Sequence, residues 1–171
     1  MNSSWTQVGA WLQRRAENIA VVMLATMFLA FIIQIAFRYV FNLPVGWPSE
    51  LSVIAWVWGV LWGAAFVVRE QDEIRFDIIY SLVSDRMRRA FAIVTGLALV
   101  AIYSISLPAV TDYVMFMKVE RSAYLRIRFD CLFAIYVLFA AAMIVRYIWL
   151  TWRAIRGDAP TAPDLTTTRA D

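Results

Sequence analysis

Four long apolar stretches dominate this sequence of 171 residues. They cover residues 19–37, 51–68, 90–110 and 131–150, and each is long enough, as a helix, to cross the hydrocarbon layer of a membrane. Backbone in hydrocarbon must satisfy its own hydrogen bonds, which a helix does within one segment. The stretches are continuous and do not alternate, so a transmembrane β-barrel is excluded. The sequence therefore predicts an all-α integral membrane protein with four transmembrane helices.

The residue types present narrow the possible functions. Hydrophobic residues make up 62% of the chain, far above the roughly 45–50% of soluble domains. Histidine is absent and Cys131 is the only cysteine, which disfavours haem ligation by two histidines and a histidine-based zinc site. The middle of each apolar stretch carries no charged residue. We therefore predict a protein that is not an enzyme, with no catalytic residue, no metal and no cofactor.

The regions outside the four stretches divide the chain further. Residues 1–17 are predicted to form an amphipathic helix lying in the membrane interface, and residues 69–89 a second one. Residues 18–150 form the four-span membrane domain. Residues 151–171 are predicted to be a cytoplasmic tail, disordered towards its end, because that end is rich in proline, threonine and aspartate.

The distribution of basic residues predicts the orientation in the membrane. Eleven arginines flank the side that carries both termini, whereas the opposite side has four arginines and one lysine. By the positive-inside rule, both termini are expected to be cytoplasmic. The segments around residues 38–50 and 111–130 are then expected to face outward.

The second apolar stretch carries small residues four positions apart. Ala55, Gly59 and Gly63 form one stripe, and Trp56 and Trp62 flank it. Small residues at this spacing let another helix approach closely in a membrane. Two interpretations stay open: the stripe packs inside a four-helix bundle, or it forms an interface with another subunit.

The segment between the first two stretches reads FRYVFNLPVGWPSEL, residues 37–51. Pro44 and Pro48 are expected to end the helical hairpin and set its turn, because proline fixes φ and donates no backbone hydrogen bond. Glu50 falls in the first turn of the second helix, where the helix dipole favours a carboxylate. Arg38 is long enough to reach Glu50 or exposed carbonyls, so we predict a structural role for these two residues.

This segment, together with VWGVLWGAAFVVRE and IRFD, resembles the small membrane subunit of tripartite ATP-independent periplasmic (TRAP) transporters, the DctQ-like family. The resemblance covers about residues 15–150. Its motif positions here are Arg38, Pro44, Trp47, Glu50, Leu51, Gly63, Arg69 and Asp77.

The resemblance implies a place in a three-part uptake system of the bacterial inner membrane. An extracytoplasmic binding protein would deliver an organic anion, such as a carboxylate or sugar acid, to a large permease subunit. That permease would carry out sodium-coupled symport, and the small subunit would act as its scaffold. The implied partners are thus the large permease, the binding protein and membrane lipid, with no nucleic acid.

Two further hypotheses concern charged residues near the predicted outer side. Basic residues between the third and fourth stretches are candidates for docking the binding protein; they are Lys118, Arg121, Arg126 and Arg128. The alternative to a scaffold is an autonomous four-span homodimeric transporter that uses Glu50. That alternative requires Glu50 at membrane depth, whereas the prolines and tryptophan before it predict a position at the surface.

Overall fold

The computed structural model describes residues 3–68 and 84–157, and within them the chain is almost entirely helical. Helix α1 spans Ser3–Tyr39 and α2 spans Trp47–Trp62, followed directly by a π-helical segment, Gly63–Val67. Helix α3 spans Asp85–Phe116 and α4 spans Phe129–Arg156, with a short 3₁₀ turn, Met117–Val119, between them. All four helices are long and apolar enough to cross a membrane. The prediction of an all-α, four-span membrane protein is confirmed.

Helix α1 has no break at the boundary expected between residues 17 and 18. Its 37 residues form one continuous helix. At 1.5 Å per residue it is about 55 Å long, well beyond the roughly 30 Å of membrane hydrocarbon. The continuity has a simple cause: Gly9 is its only glycine and it contains no proline, so no residue interrupts the hydrogen-bond ladder. The expected interfacial segment is thus the first part of the helix that crosses the membrane.

The other helices also extend beyond the predicted apolar stretches. Helix α2 begins at Trp47 because Pro48 is tolerated in a first turn, and α4 continues through the start of the predicted tail to Arg156. Gly157 ends α4 in the left-handed conformation, with φ of 109°, which glycine adopts without strain. Of the predicted interfacial helix at residues 69–89, residues 69–83 lie outside the described residues and those from Asp85 onward belong to α3. The tail beyond residue 157 also lies outside them.

The four helices pack side by side in the order α1, α2, α4, α3. In the α1–α2 pair, the indole Nε1 of Trp62 donates to the carbonyl of Ala16 at 3.1 Å, and a Cβ added to Gly59 would lie 3.6 Å from that of Met23. Within residues 3–68 and 84–157, substantial packing occurs only between neighbours in this order. The arrangement is therefore an open row, with α2 and α4 in its middle.

Helices α3 and α4 form the second antiparallel pair. Gly96 of α3 lies directly against Thr151 of α4, and the rings of Tyr103 and Phe139 meet edge to face, with centroids 5.9 Å apart. Helix α3 continues through Gly96, whose missing side chain allows this close approach of the two helices. Ile135 of α4 is buried between the helices, with 1% of its surface exposed. Most other apolar side chains remain exposed and are available to lipid or to a protein partner.

Candidate functional site

The two loops that connect helices within each pair lie at the same end of the row, which we call the loop end. The first loop, residues 40–46, follows α1 and contains Asn42 in the left-handed conformation, with φ of 53°. The amide of Leu43 donates to the carbonyl of Phe37 at 3.0 Å, which closes the end of α1. The Ser49 hydroxyl donates to the carbonyl of Gly46 at 2.8 Å, at the start of α2. The first loop thus passes into α2 through local hydrogen bonds.

The second loop, residues 117–128, folds back on itself as a small hairpin. Arg121 and Arg128 face each other as an antiparallel bridge. The amide of Ser122 donates to the carbonyl of Ile127 at 2.9 Å, and the amide of Ile127 donates to the Ser122 hydroxyl at 3.0 Å. Arg126, at the turn, has φ of 55°. These bonds define the shape of the hairpin but do not themselves attach it to the first loop.

The attachment comes from Glu50, in the first turn of α2. Its Oε2 accepts hydrogen bonds from the backbone amides of Tyr124 at 2.8 Å and Leu125 at 3.2 Å. We call this pair of bonds the Glu50 clasp. Hydrogen bonds to an ionised carboxylate are roughly twice as strong as neutral ones. The tip of the second loop is therefore held against the start of α2.

Gly46 is the residue against which the tip of the second loop packs. A Cβ added to Gly46 would lie 2.1 to 2.6 Å from carbon atoms of the Tyr124 ring, far inside contact distance. The ring therefore rests on the bare backbone of residue 46, one helical turn before Glu50. Glycine is required here by close approach, since Gly46 itself has an ordinary negative φ of −101°.

The structure does not bring Arg38 to Glu50. The Arg38 guanidinium lies 6.0 Å from the centre of the Tyr39 ring, at the exposed end of α1, while the Glu50 carboxylate is bound to the second loop. The structural role expected for Glu50 therefore involves a different partner. Its place at the start of α2, bound to loop amides, also differs from the mid-membrane position that an autonomous transporter would require.

The small-residue stripe of α2 divides into two parts. Ala55 is buried, and Gly59 lies against Met23, so this part packs within the chain. Gly63 has no atom within 4 Å of an added Cβ, and Trp56 leaves 57% of its surface exposed. Intrachain packing thus accounts for the first part of the stripe, whereas the side of Gly63 on which a Cβ would lie stays open.

Polar groups of neighbouring helices bond to main-chain carbonyls at both ends of the α2–α4 contact. Near the loop end, Nε1 of Trp58 donates to the carbonyl of Leu132 at 3.0 Å. Farther along, Nη1 of Arg146 reaches the carbonyl of Ala64, in the π-helical segment, at 3.5 Å. A π-helical turn disturbs the regular ladder of backbone bonds, so a donor beside its carbonyls is favourable. These contacts join the two helix pairs.

The four candidate docking residues differ in their surroundings. Lys118, Arg121 and Arg126 are exposed on the second loop. Arg128 instead forms a two-pronged ion pair with Asp130, with distances of 3.1 and 2.5 Å. Asp130 Oδ1 also accepts from the amide of Cys131 at 2.8 Å, in the first turn of α4. Arg128 therefore contributes mainly to an ion pair at the start of α4, and less to the exposed basic surface of the second loop.

The remaining motif residues are more scattered. Pro44 is exposed in the first loop, and Trp47 and Leu51 are half-buried in the first turns of α2. Arg69 and Asp77 lie outside the described residues. Within the described ranges, no group of three or more histidine, cysteine, aspartate or glutamate side chains is placed to hold a metal.

The sequence does not predict the part played by Tyr124 and Leu125. They bind Glu50 through backbone amides, and every residue type except proline carries such an amide.

An open row of four apolar helices, with its loops joined at one end, defines a small multi-span membrane protein of the all-α class. A family model described as "Tripartite ATP-independent periplasmic transporters, DctQ component" matches residues 27–157, well over half of the chain. The chain therefore belongs to the DctQ family of TRAP transporter small permease subunits, which confirms the resemblance found in its motifs.

The chain is also similar in sequence to a curated protein of the same family. Over 95 residues, the chain is 30% identical to the C4-dicarboxylate TRAP transporter small permease protein DctQ of Vibrio cholerae serotype O1. The match covers 55% of this chain and 41% of the relative, so the chain spans less than half of the relative's length.

Proposed function

We propose that this protein is the scaffold subunit of a TRAP-type secondary transporter in the bacterial inner membrane. The observation that carries the proposal is the open row of helices in a member of the DctQ family. The row leaves broad apolar faces uncovered, including the open position at Gly63 in the π-helical segment, and a large permease subunit would pack there. The row would widen the fixed part of that permease while its transport domain moves.

The substrate of the whole system is proposed to be an organic anion, a carboxylate or sugar acid. The name of the Vibrio cholerae relative, a C4-dicarboxylate transporter subunit, supports the carboxylate class. In this proposal the large permease binds sodium and substrate, and an extracytoplasmic binding protein delivers the anion. The small subunit contributes no cofactor and no catalytic group. Both of its termini are cytoplasmic, so the loop end faces the binding protein.

Reconstitution tests the scaffold role. The purified chain in liposomes should give no uptake of labelled dicarboxylates or sugar acids under a sodium gradient. Co-expression with a TRAP large permease subunit from the same organism should yield a complex that stays intact in mild detergent, and liposomes with this complex and the binding protein should take up substrate. Flux through the purified chain alone would refute the scaffold role and support the autonomous transporter.

The second loop supplies a separate function, the docking of the binding protein. Lys118, Arg121 and Arg126 are exposed at the loop end and would attract an acidic surface. Replacing Arg121 and Arg126 by glutamate should weaken docking most strongly at low ionic strength, because exposed charges are screened by salt. Replacing Arg86 and Arg89, at the other end of α3, gives a control with the same change in charge. Docking that is unaffected by the loop variant would exclude this role.

A further inference from the structure

The Glu50 clasp joins parts of the chain that are far apart in sequence. Glu50 and Tyr124 are separated by 74 positions, yet both amide bonds to Oε2 are within hydrogen-bonding distance. The other carboxylate oxygen, Oε1, is shielded from solvent, and the Ser122 side chain, in the same hairpin, is a further hydrogen-bond partner of the Glu50 carboxylate. A carboxylate with one oxygen devoted to two loop amides is placed to hold that loop.

The hairpin has its own internal bonds, but these leave its direction relative to the helices undetermined. The bonds between Ser122 and Ile127 close the hairpin on itself. The direction in which Arg121 and Arg126 project depends on where the tip rests. The clasp and the Tyr124 ring on Gly46 are the contacts that hold the tip to α2.

We infer that Glu50 is a positioning residue, which holds the second loop so that its exposed arginines meet the acidic surface of the binding protein in one arrangement. This inference rests on the docking role proposed above and adds the residue that makes docking efficient. A loop that is already ordered loses less conformational freedom on binding. Glu50 thus acts on docking through the backbone of residues 124 and 125 and touches neither substrate nor binding protein.

Glu120 supplies a charge-matched control for this role. It lies in the same region of the chain and its side chain is exposed. Glu50→Ala and Glu120→Ala each remove one negative charge, but only the first removes the clasp. Glu50→Gln keeps an uncharged acceptor oxygen and should retain part of the restraint. Any effect shared by Glu50→Ala and Glu120→Ala would be due to charge alone.

The first measurement is hydrogen exchange at the amides of Tyr124 and Leu125, in the full chain bound to its permease. Glu50→Ala should speed exchange there by roughly tenfold or more, Glu50→Gln by less, and Glu120→Ala should leave it unchanged. Exchange in α2 and α4, followed in the same samples, reports whether the variants remain folded. Unchanged exchange at both loop amides in folded Glu50→Ala protein would overturn the inference.

The second measurement is the affinity of the complex for a TRAP binding protein from the same organism. If the docking-competent arrangement falls to about a tenth of the molecules, the apparent affinity falls about tenfold. We expect that loss for Glu50→Ala and none for Glu120→Ala. A loosened loop with unchanged affinity would overturn the positioning role even if the arginine variant still weakens docking. If the arginine variant has no effect either, the docking proposal itself fails.

Discussion

The contact between Gly96 and Thr151 yields a quantitative prediction about the α3–α4 pair. A Cβ added to Gly96 would lie 2.1 Å from the Thr151 hydroxyl oxygen, 3.4 Å from the Thr151 Cβ and 3.8 Å from the carbonyl of Tyr147. Gly96→Ala therefore requires either the threonine side chain or the helix to move. Because Thr151 is buried and branched at Cβ, it has little freedom to turn away.

The expected cost follows from two opposing effects. Overpacking of this kind costs about 1–3 kcal/mol. Replacing a helical glycine by alanine returns about 1 kcal/mol of helix propensity. The net effect of Gly96→Ala alone is thus a modest loss of stability. Adding Thr151→Ala isolates the steric part of this cost. The second substitution removes the Thr151 hydroxyl oxygen and leaves the Cβ atoms of residues 96 and 151 at ordinary contact distance. Thr151→Ala on its own should cost little, since its hydroxyl has no hydrogen-bond partner in the described residues.

The assay is a double-mutant cycle on the purified chain in mixed micelles, with unfolding by SDS followed by circular dichroism. The two substitutions together should be more stable than the sum of the single effects predicts, with a coupling of about 1–3 kcal/mol. Gly9→Ala is the matched control, because its added Cβ meets nothing within 4 Å. A coupling below about 0.5 kcal/mol, the usual scatter of additive sites, would show that the helices do not approach as described.

Three further outcomes are expected. Trp58→Phe should destabilise the chain by about 1–3 kcal/mol in the same SDS titration, because the carbonyl of Leu132 loses its indole donor. A neutral result would remove this link from the α2–α4 contact. Gly46→Ala should displace the Tyr124 ring and speed amide exchange at the tip of the second loop, whereas unchanged exchange would contradict the close approach. Gly63→Leu should leave the purified chain stable but reduce its recovery with the permease; full recovery would place the interface elsewhere.

The helices could be predicted from sequence because hydropathy alone identifies a membrane span. The four apolar stretches correspond to α1 to α4, and the helices extend beyond these stretches at most of their ends. Hydropathy marks where residues become polar, whereas a helix ends where its hydrogen bonds end. Helix α4 shows the difference, since it continues past the apolar residues until Gly157 terminates it. For the same reason, hydropathy predicts a boundary between residues 17 and 18, which lies inside one continuous helix, α1.

The site was harder to predict. The sequence singles out Glu50 through its place in the first turn of the second helix, and it suggests Arg38 as a partner because that side chain is long enough to reach outward from the end of the first span. The actual donors are amides more than 70 positions away, and every residue except proline carries such a donor. The pattern of small residues indicates that Gly59 packs closely against another helix. The pattern alone cannot show that Gly63, in the same stripe, lacks such a contact in the described residues.

The open row of helices has a consequence for how solute crosses the membrane. Within residues 3–68 and 84–157, a row one helix thick encloses no lumen between its helices, so these residues alone give a hydrophilic molecule no route sheltered from lipid. In the proposed transporter, another polypeptide would therefore complete the route of the anion. In the scaffold role proposed above, this row would supply the stationary part of such a wall.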